Sequence, residues 1–166
     1  MAKLSSVGFE VITDNCTKLT GKVATLCKAA CYAGAEVMAD AFRREISSLR
    51  TVSDKQQLAC FHKREACYLS DTQKTGLLES LGITPISDQN GVYNSKVGFD
   101  GYNAIETKRW PKGQPNVLIA RACESGSSAM LKQPFARKAI NGQKKRAQEA
   151  MGKAVNEEIE KITGGT

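Results

Sequence analysis

From Leu19 to Leu49 apolar residues return every three or four positions: Leu19, Val23, Leu26, Cys27, Ala30, Gly34, Val37, Met38, Ala41, Phe42, Ile46 and Leu49. Lys22, Lys28, Glu36, Asp40, Arg43 and Arg44 fall mostly off that stripe, the pattern of an amphipathic helix. With Thr13 or Asp14 as its cap and Gly21 delaying the regular part, the spacing predicts one long N-terminal helix over about 14–50. A helix of about 30 residues is ~45 Å long, more than a small domain needs for its own core, so its length invites a partner. Ser53-Asp54-Lys55-Gln56 has the form of a capping box and opens a second helix over about 54–68. Leu58, Phe61 and Leu69 are its expected buried positions. Ser70-Asp71-Thr72 ends it, and Thr75-Gly76 precedes a compact run from Leu77 to Ile83.

The period then changes. Ile83-Thr84-Pro85-Ile86 alternates, Asp88-Gln89-Asn90-Gly91 turns, and Val92 to Phe99 returns, which predicts a β-hairpin region over about 81–103. Asn90-Gly91 supplies the positive-φ pair of a type I′ turn, and Pro85 confines the first strand to an edge or a short pairing. A loop rich in Pro and Gly around Trp110 leads to a short helix over about 116–125, stopped by Ser125-Gly126-Ser127-Ser128. Pro134 opens a final long helix over about 134–162, whose apolar positions include Phe135, Ala139, Ile140, Ala147, Met151, Val155 and Ile159. Gly164-Gly165-Thr166 reads as a frayed tail. The expected fold class is α+β: a single domain over 1–166, with long N-terminal and C-terminal helices packed on a small antiparallel β-sheet.

Composition narrows the classes. The 166 residues are 41% hydrophobic and 25% charged, as in ordinary globular domains. No apolar run approaches the ~18 residues that span a bilayer, so no membrane partner is expected. The stretch from Met1 to Glu10 lacks an apolar core followed by a small-residue cleavage site, so signal-peptide export is not expected either. A cytosolic setting, or a particle assembled there, keeps the six cysteines reduced. Cys27, Cys31, Cys60 and Cys67 form the only conceivable zinc set, with His62 nearby. Neither pair has the tight spacing of a zinc knuckle, and free Cys is commonly a small buried hydrophobe. Any Ser-His-Asp or Cys-His scheme has to use His62, which sits on a predicted amphipathic helix with no serine elbow elsewhere. Gly21-Lys22 lacks the glycines of a phosphate loop, and Gly98-Phe99-Asp100-Gly101 is only a tight turn. No catalytic, cofactor-binding or metal residues are assigned, and the chain is not read as an enzyme.

Charge is more informative. The chain carries a net charge of +7, yet residues 101–146 alone hold ten Lys/Arg against two acids, Glu106 and Glu124. The basic set is Lys108, Arg109, Lys112, Arg121, Lys132, Arg137, Lys138, Lys144, Lys145 and Arg146. Such a region faces phosphates, an acidic partner, or simply solvent. Arg137, Lys138, Lys144, Lys145 and Arg146 are the candidate DNA- or partner-facing residues. Tyr102, Trp110 and Phe135 are the few aromatics among them, which gives little basis for base stacking.

Four stretches occur in a recognisable order: Leu77-Leu78-Glu79-Ser80-Leu81-Gly82-Ile83; Val97-Gly98-Phe99-Asp100-Gly101-Tyr102; Asn116 through Ser128, with its Glu124-Ser125-Gly126 turn; and Lys132-Gln133-Pro134-Phe135-Ala136-Arg137-Lys138-Ala139. On these, residues 75–155 resemble a family of tailed-bacteriophage neck proteins, the head–tail joining or tail-completion components of phages with long non-contractile tails. Gly98, Glu124, Gly126, Pro134 and Phe135 are the structural motif positions. Pro134 sets φ at the helix entry and Phe135 anchors the helix to the core, while Gly126 permits a left-handed residue at a helix stop. The resemblance implies a non-enzymatic virion protein of the neck, assembled in the host cytoplasm. It would form a ring of copies of itself, taken as six-fold, without cofactors. Its neighbours would be the head connector or stopper and the tail terminator or tail tube, with genomic DNA passing through the channel. The alternative from another class is a basic nucleic-acid-binding module built on residues 101–146.

Overall fold

The computed structural model describes residues 7–164, so Met1–Ser6 and the last two residues of the expected tail, Gly165 and Thr166, lie outside the described residues. The architecture is α+β, in the order α1 (Val7–Thr20), α2 (Val23–Ser47), β1 (Thr51–Val52), α3 (Asp54–Lys63), β2 (Leu69–Ser70), α4 (Asp71–Ser80), β3 (Leu81–Ile83), β4 (Ser87–Gln89), β5 (Val92–Asn94), β6 (Val97–Phe99), α5 (Asn116–Ser125) and α6 (Phe135–Thr163). The expected single N-terminal helix is two. It starts earlier than Thr13, and a turn at Gly21-Lys22 divides it, because glycine is a poor helix former and both residues are exposed.

Ser53 caps α3 with a full capping box to Gln56, but the helix stops at Lys63 instead of reaching 68. Arg64 takes a left-handed φ of 60°, and the Glu65 N–H closes back on the Cys60 carbonyl at 3.0 Å. The chain then extends so that Cys67 bridges Met130, tying the α3–α4 connection to the α5–α6 connection. The expected burial also fails in part. Leu69 is fully buried, whereas Leu58 and Phe61 are exposed, Phe61 at 68%, because no element among the described residues covers that face of α3. Ser70 does more than end a helix: it caps α4 with a second capping box, through Gln73. Hydroxyl hydrogen bonds from Ser70 and then Thr72 hold the Asp54 carboxyl below its ordinary pKa, joining the start of α3 to the start of α4.

In place of one antiparallel sheet the described residues form three two-stranded pieces, one of them parallel (β1 with β2). β4 and β5 pair antiparallel around Asn90-Gly91, with φ of 56° and 81°, the turn the sequence predicts. β3 pairs antiparallel with β6, Leu81 opposite Phe99. The two ladders belong to one long hairpin interrupted near Pro85, which has no N–H to donate. Across the gap, Thr84 still donates its N–H to the Lys96 carbonyl at 2.8 Å.

α2 and α6 run side by side as an antiparallel pair. Phe42 meets Phe135 at one end, and Gly34 meets Met151 farther along. Small residues form the seam. A Cβ on Gly34 would stand 2.8 Å from the Met151 Cγ, and Ala35, Ala39, Ala139 and Ala147 are buried. The main core lies at one end of this pair, from Ala41, Phe42 and Ile46 through Leu69, Leu77, Leu81, Ile119 and Cys123 to Phe135 and Ala139. α2 also packs on β3, β5 and β6, while α6 packs on α2, α1 and α5. Lys74 fastens the end of α2 by donating to the Ser47 and Leu49 carbonyls at 2.7 and 3.1 Å, a cation at a helix C-terminus. Among the described residues no helix is long and apolar enough to cross a membrane.

Candidate functional site

Four of the five motif positions join in one construction at the entry to α6. Pro134 stands at the N-cap, where its side chain has no capping oxygen to offer. Glu124, at the end of α5, supplies one from outside: its carboxylate accepts the Ala136 N–H at 2.8 Å and the Arg137 N–H at 3.2 Å. Two otherwise orphaned amides and the positive end of the helix dipole are thereby satisfied by one anion. Gly126, with φ of 79°, turns the chain after α5, and a Cβ there would lie 3.1 Å from the Lys132 Cβ. Phe135 is 2% exposed, its ring edge-on to Phe42 at 6.2 Å and to Phe99 at 5.9 Å. Gly98 is the exception. It sits opposite Gly82 on β6, and a Cβ added there meets nothing within 4 Å. Replacing Glu124 with Ala should cost about 1–2 kcal/mol, the range of a lost helix cap, with Glu124→Gln intermediate; chemical denaturation of the three proteins measures it.

All ten basic residues of 101–146 are exposed, and among the described residues none forms an ion pair. They are not one patch. At ~100° per residue, Arg137, Lys138, Lys144 and Lys145 share about a third of the α6 circumference, opposite Phe135, Ala139 and Ala147. Arg146 points away from these four and borders a hollow with Asp40, Arg43 and Arg44 of α2. Arg109 lies over its neighbour Trp110, 5.5 Å from the ring centroid.

The cysteines do not assemble. Cys27 and Cys31 are on α2, where the Cys31 thiol donates to the Tyr93 carbonyl at 3.5 Å. Cys60 and Cys67 meet elsewhere, 2.8 Å apart, and the contact with Cys67 pushes the Cys60 thiol above its ordinary pKa. Among the described residues no three His, Cys, Asp or Glu side chains converge on a metal position. Cys123 is buried, which pushes its pKa up to about 11 and keeps it a neutral thiol at neutral pH. His62 is exposed on α3, edge-on to Phe61.

One feature escaped the sequence reading. A cleft of about 630 Å³ lies between α4 and the turn after β6. At its floor Gly76 lets Asn103 and Asn116 pack directly against α4: a Cβ there would stand 2.8 Å from the Asn103 Cβ and 2.9 Å from the Asn116 Oδ1. Asn103 is held from behind. Its N–H donates to the Gln114 carbonyl at 2.9 Å, and its Oδ1 accepts the Ile105 and Gln114 N–H groups at 2.9 and 3.2 Å. Gln73 then donates to the Gln114 Oε1 at 2.7 Å and accepts from the Gln57 Nε2 at 2.6 Å, so one partly buried amide chain runs from α3 to the cleft wall. The only sequence signals were Gly76 just before an apolar run and Gly113 between two prolines; Asn103 and Asn116 carried none. In comparisons with known proteins, no family model, no curated protein and no solved structure matches this chain.

Proposed function

We propose that the protein is a non-enzymatic structural subunit of a phage neck, forming a ring that joins the head connector to the tail tube. What carries the reading is the convergence of the four resembling stretches on a single packed unit. Leu77 and Leu81 lie in the core with Phe135, β3 pairs with β6, and Glu124 reaches across to hold the first turn of α6. Glu124, Gly126, Pro134 and Phe135, singled out by the resemblance, thus share one physical task, fixing α6 against the body. Faces left open for other chains support the same reading: Leu58 and Phe61 on α3, Val117 and Leu118 on α5, and Tyr32 and Ile140 on the paired long helices are all exposed. Negative-stain microscopy of the purified protein at high concentration, alone and with the products of adjacent genes, should show rings of uniform diameter. Absence of rings under all these conditions would count against the proposal.

The second reading, a DNA-binding module, draws on the ten exposed basic residues, none of which has a carboxylate partner among the described residues. Phosphate binding falls steeply with salt, so retention on duplex DNA at low salt that disappears as salt rises is its expected mark.

A further inference from the structure

We propose that Cys60 and Cys67 are a reversible disulfide site, a covalent staple across the end of α3 that forms when the reduced chain meets a small-molecule disulfide such as oxidised glutathione. The site does not depend on the neck-ring reading. The two sulfurs stand 2.8 Å apart, about 0.8 Å more than the bonded separation. Main-chain geometry brings them together. Arg64, at the C-cap of α3, takes the left-handed conformation and reverses the chain. Its N–H bonds to the Cys60 and Phe61 carbonyls, and the Glu65 N–H returns to the Cys60 carbonyl at 3.0 Å. Cys67 is fixed to the body: its N–H donates to the Ala129 carbonyl at 3.2 Å, and its carbonyl accepts the Leu131 N–H at 2.8 Å. Both sides of the reversal are thus set by the backbone, and the thiols meet with no further folding. Cys31 and Cys123 instead donate to the carbonyls of Tyr93 and Gln133.

The bond supplies what α3 lacks. None of its ten residues is buried. Asp54 and Gln57, in its first half, provide side-chain links: Thr72 donates to the Asp54 carboxylate at 2.6 Å, and Gln57 donates to the Gln73 Oε1 at 2.6 Å and the Tyr68 carbonyl at 3.3 Å. At the other end the sulfur pair ties α3 to Cys67, and through it to the connection between α5 and α6. Cys60 is half-buried and Cys67 is 8% exposed, so an external disulfide reaches Cys60 first. The Cys60 thiol loses its proton to solvent and its sulfur attacks one sulfur of the small disulfide. That S–S bond breaks, a mixed disulfide forms, and the first small thiolate leaves and is protonated. Cys67, deprotonated in turn, attacks the Cys60 sulfur, and the second small thiolate leaves and is protonated. Two protein thiols are oxidised by two electrons while one small disulfide is reduced to two thiols. The hydrogen bond with Cys67 raises the Cys60 pKa, which slows the first step at neutral pH. For a neck subunit the change of medium comes at lysis, when the assembled particle leaves the reducing cytoplasm.

The test uses the purified full-length chain, incubated with oxidised glutathione, alkylated and digested with trypsin without reduction. Cleavage after Lys55, Lys63, Arg64 and Lys74 should release peptides 56–63 and 65–74 from the monomer as one disulfide-linked species, which dithiothreitol separates. Closing this short loop should raise the melting midpoint by about 5–10 °C. Cys60→Ser, a change at a half-buried position, should show neither the link nor the rise. Should that variant fold poorly, oxidised and reduced wild type still give the comparison on one unaltered chain. Cys60 and Cys67 recovered as free thiols, as separate glutathione adducts, or joined to other cysteines or to another chain overturn the proposal. A linked species that melts no higher than the reduced protein overturns it as well. None of these results requires a ring, and the neck reading fails separately, on the morphology of particles lacking the protein.

Discussion

Phe135→Ala should lower the free energy of unfolding by about 3–5 kcal/mol, the range for deleting a buried aromatic ring. Phe135 is 2% exposed and sits edge-on to two further rings, Phe42 from α2 and Phe99 from β6. Its loss therefore opens a cavity where the long helices, the hairpin and α5 meet, and no neighbour can collapse into it without giving up another contact. Total stabilities of domains this size are only about 5–15 kcal/mol, so the variant should unfold at a much lower urea midpoint with an unchanged slope. Phe61→Ala is the internal control. That ring is 68% exposed on the uncovered face of α3, and its removal should shift the midpoint little. The fully buried Leu69 is smaller than either ring but belongs with Phe135 in consequence.

Gly113→Ala should be as damaging, by a different route. Gly113 has φ of 94°, and a Cβ there would stand 1.8 Å from the Asn103 carbonyl oxygen. Backbone strain of this kind costs about 1–3 kcal/mol, and relief requires Asn103 to move. Moving it breaks the paired hydrogen bonds with Gln114 and loosens the amide chain to Gln73 and Gln57. Each buried group left unsatisfied adds about 1–3 kcal/mol, so a total loss above ~3 kcal/mol is expected. Gly98→Ala makes the contrast, because its added Cβ meets open space and a strand generally gains from a side chain. Denaturation of the two proteins side by side, with a mild effect at Gly98 and a severe one at Gly113, separates steric need from motif position.

The difference between what could be read and what could not follows the range of the interactions. Ser53 with Gln56, Asn90-Gly91, Gly126 and Pro134-Phe135 act within a few residues, and each local structure forms as its sequence predicts. The α5 and α6 boundaries come within a residue or two for the same reason. Periodicity was less reliable where it carried no information about cover. Leu58 and Phe61 have helical spacing, yet the left-handed Arg64 ends α3 and turns the chain away before anything packs on them. Residues 14–50 have one continuous apolar stripe, yet Gly21-Lys22 divides it. The cleft was illegible because it is built by Gly76, Asn103 and Asn116, which are distant in sequence and ordinary one at a time. The role of Glu124 needed the structure for the same reason: it caps a helix that begins after an intervening turn.

The central claim is that this chain completes a phage neck, and particle morphology after interruption of its gene tests it most directly. Electron microscopy of the resulting lysate should show DNA-filled heads without tails beside free, full-length tails, with normal virions restored by the wild-type chain supplied in trans. Intact tailed particles in the absence of the protein would contradict the account.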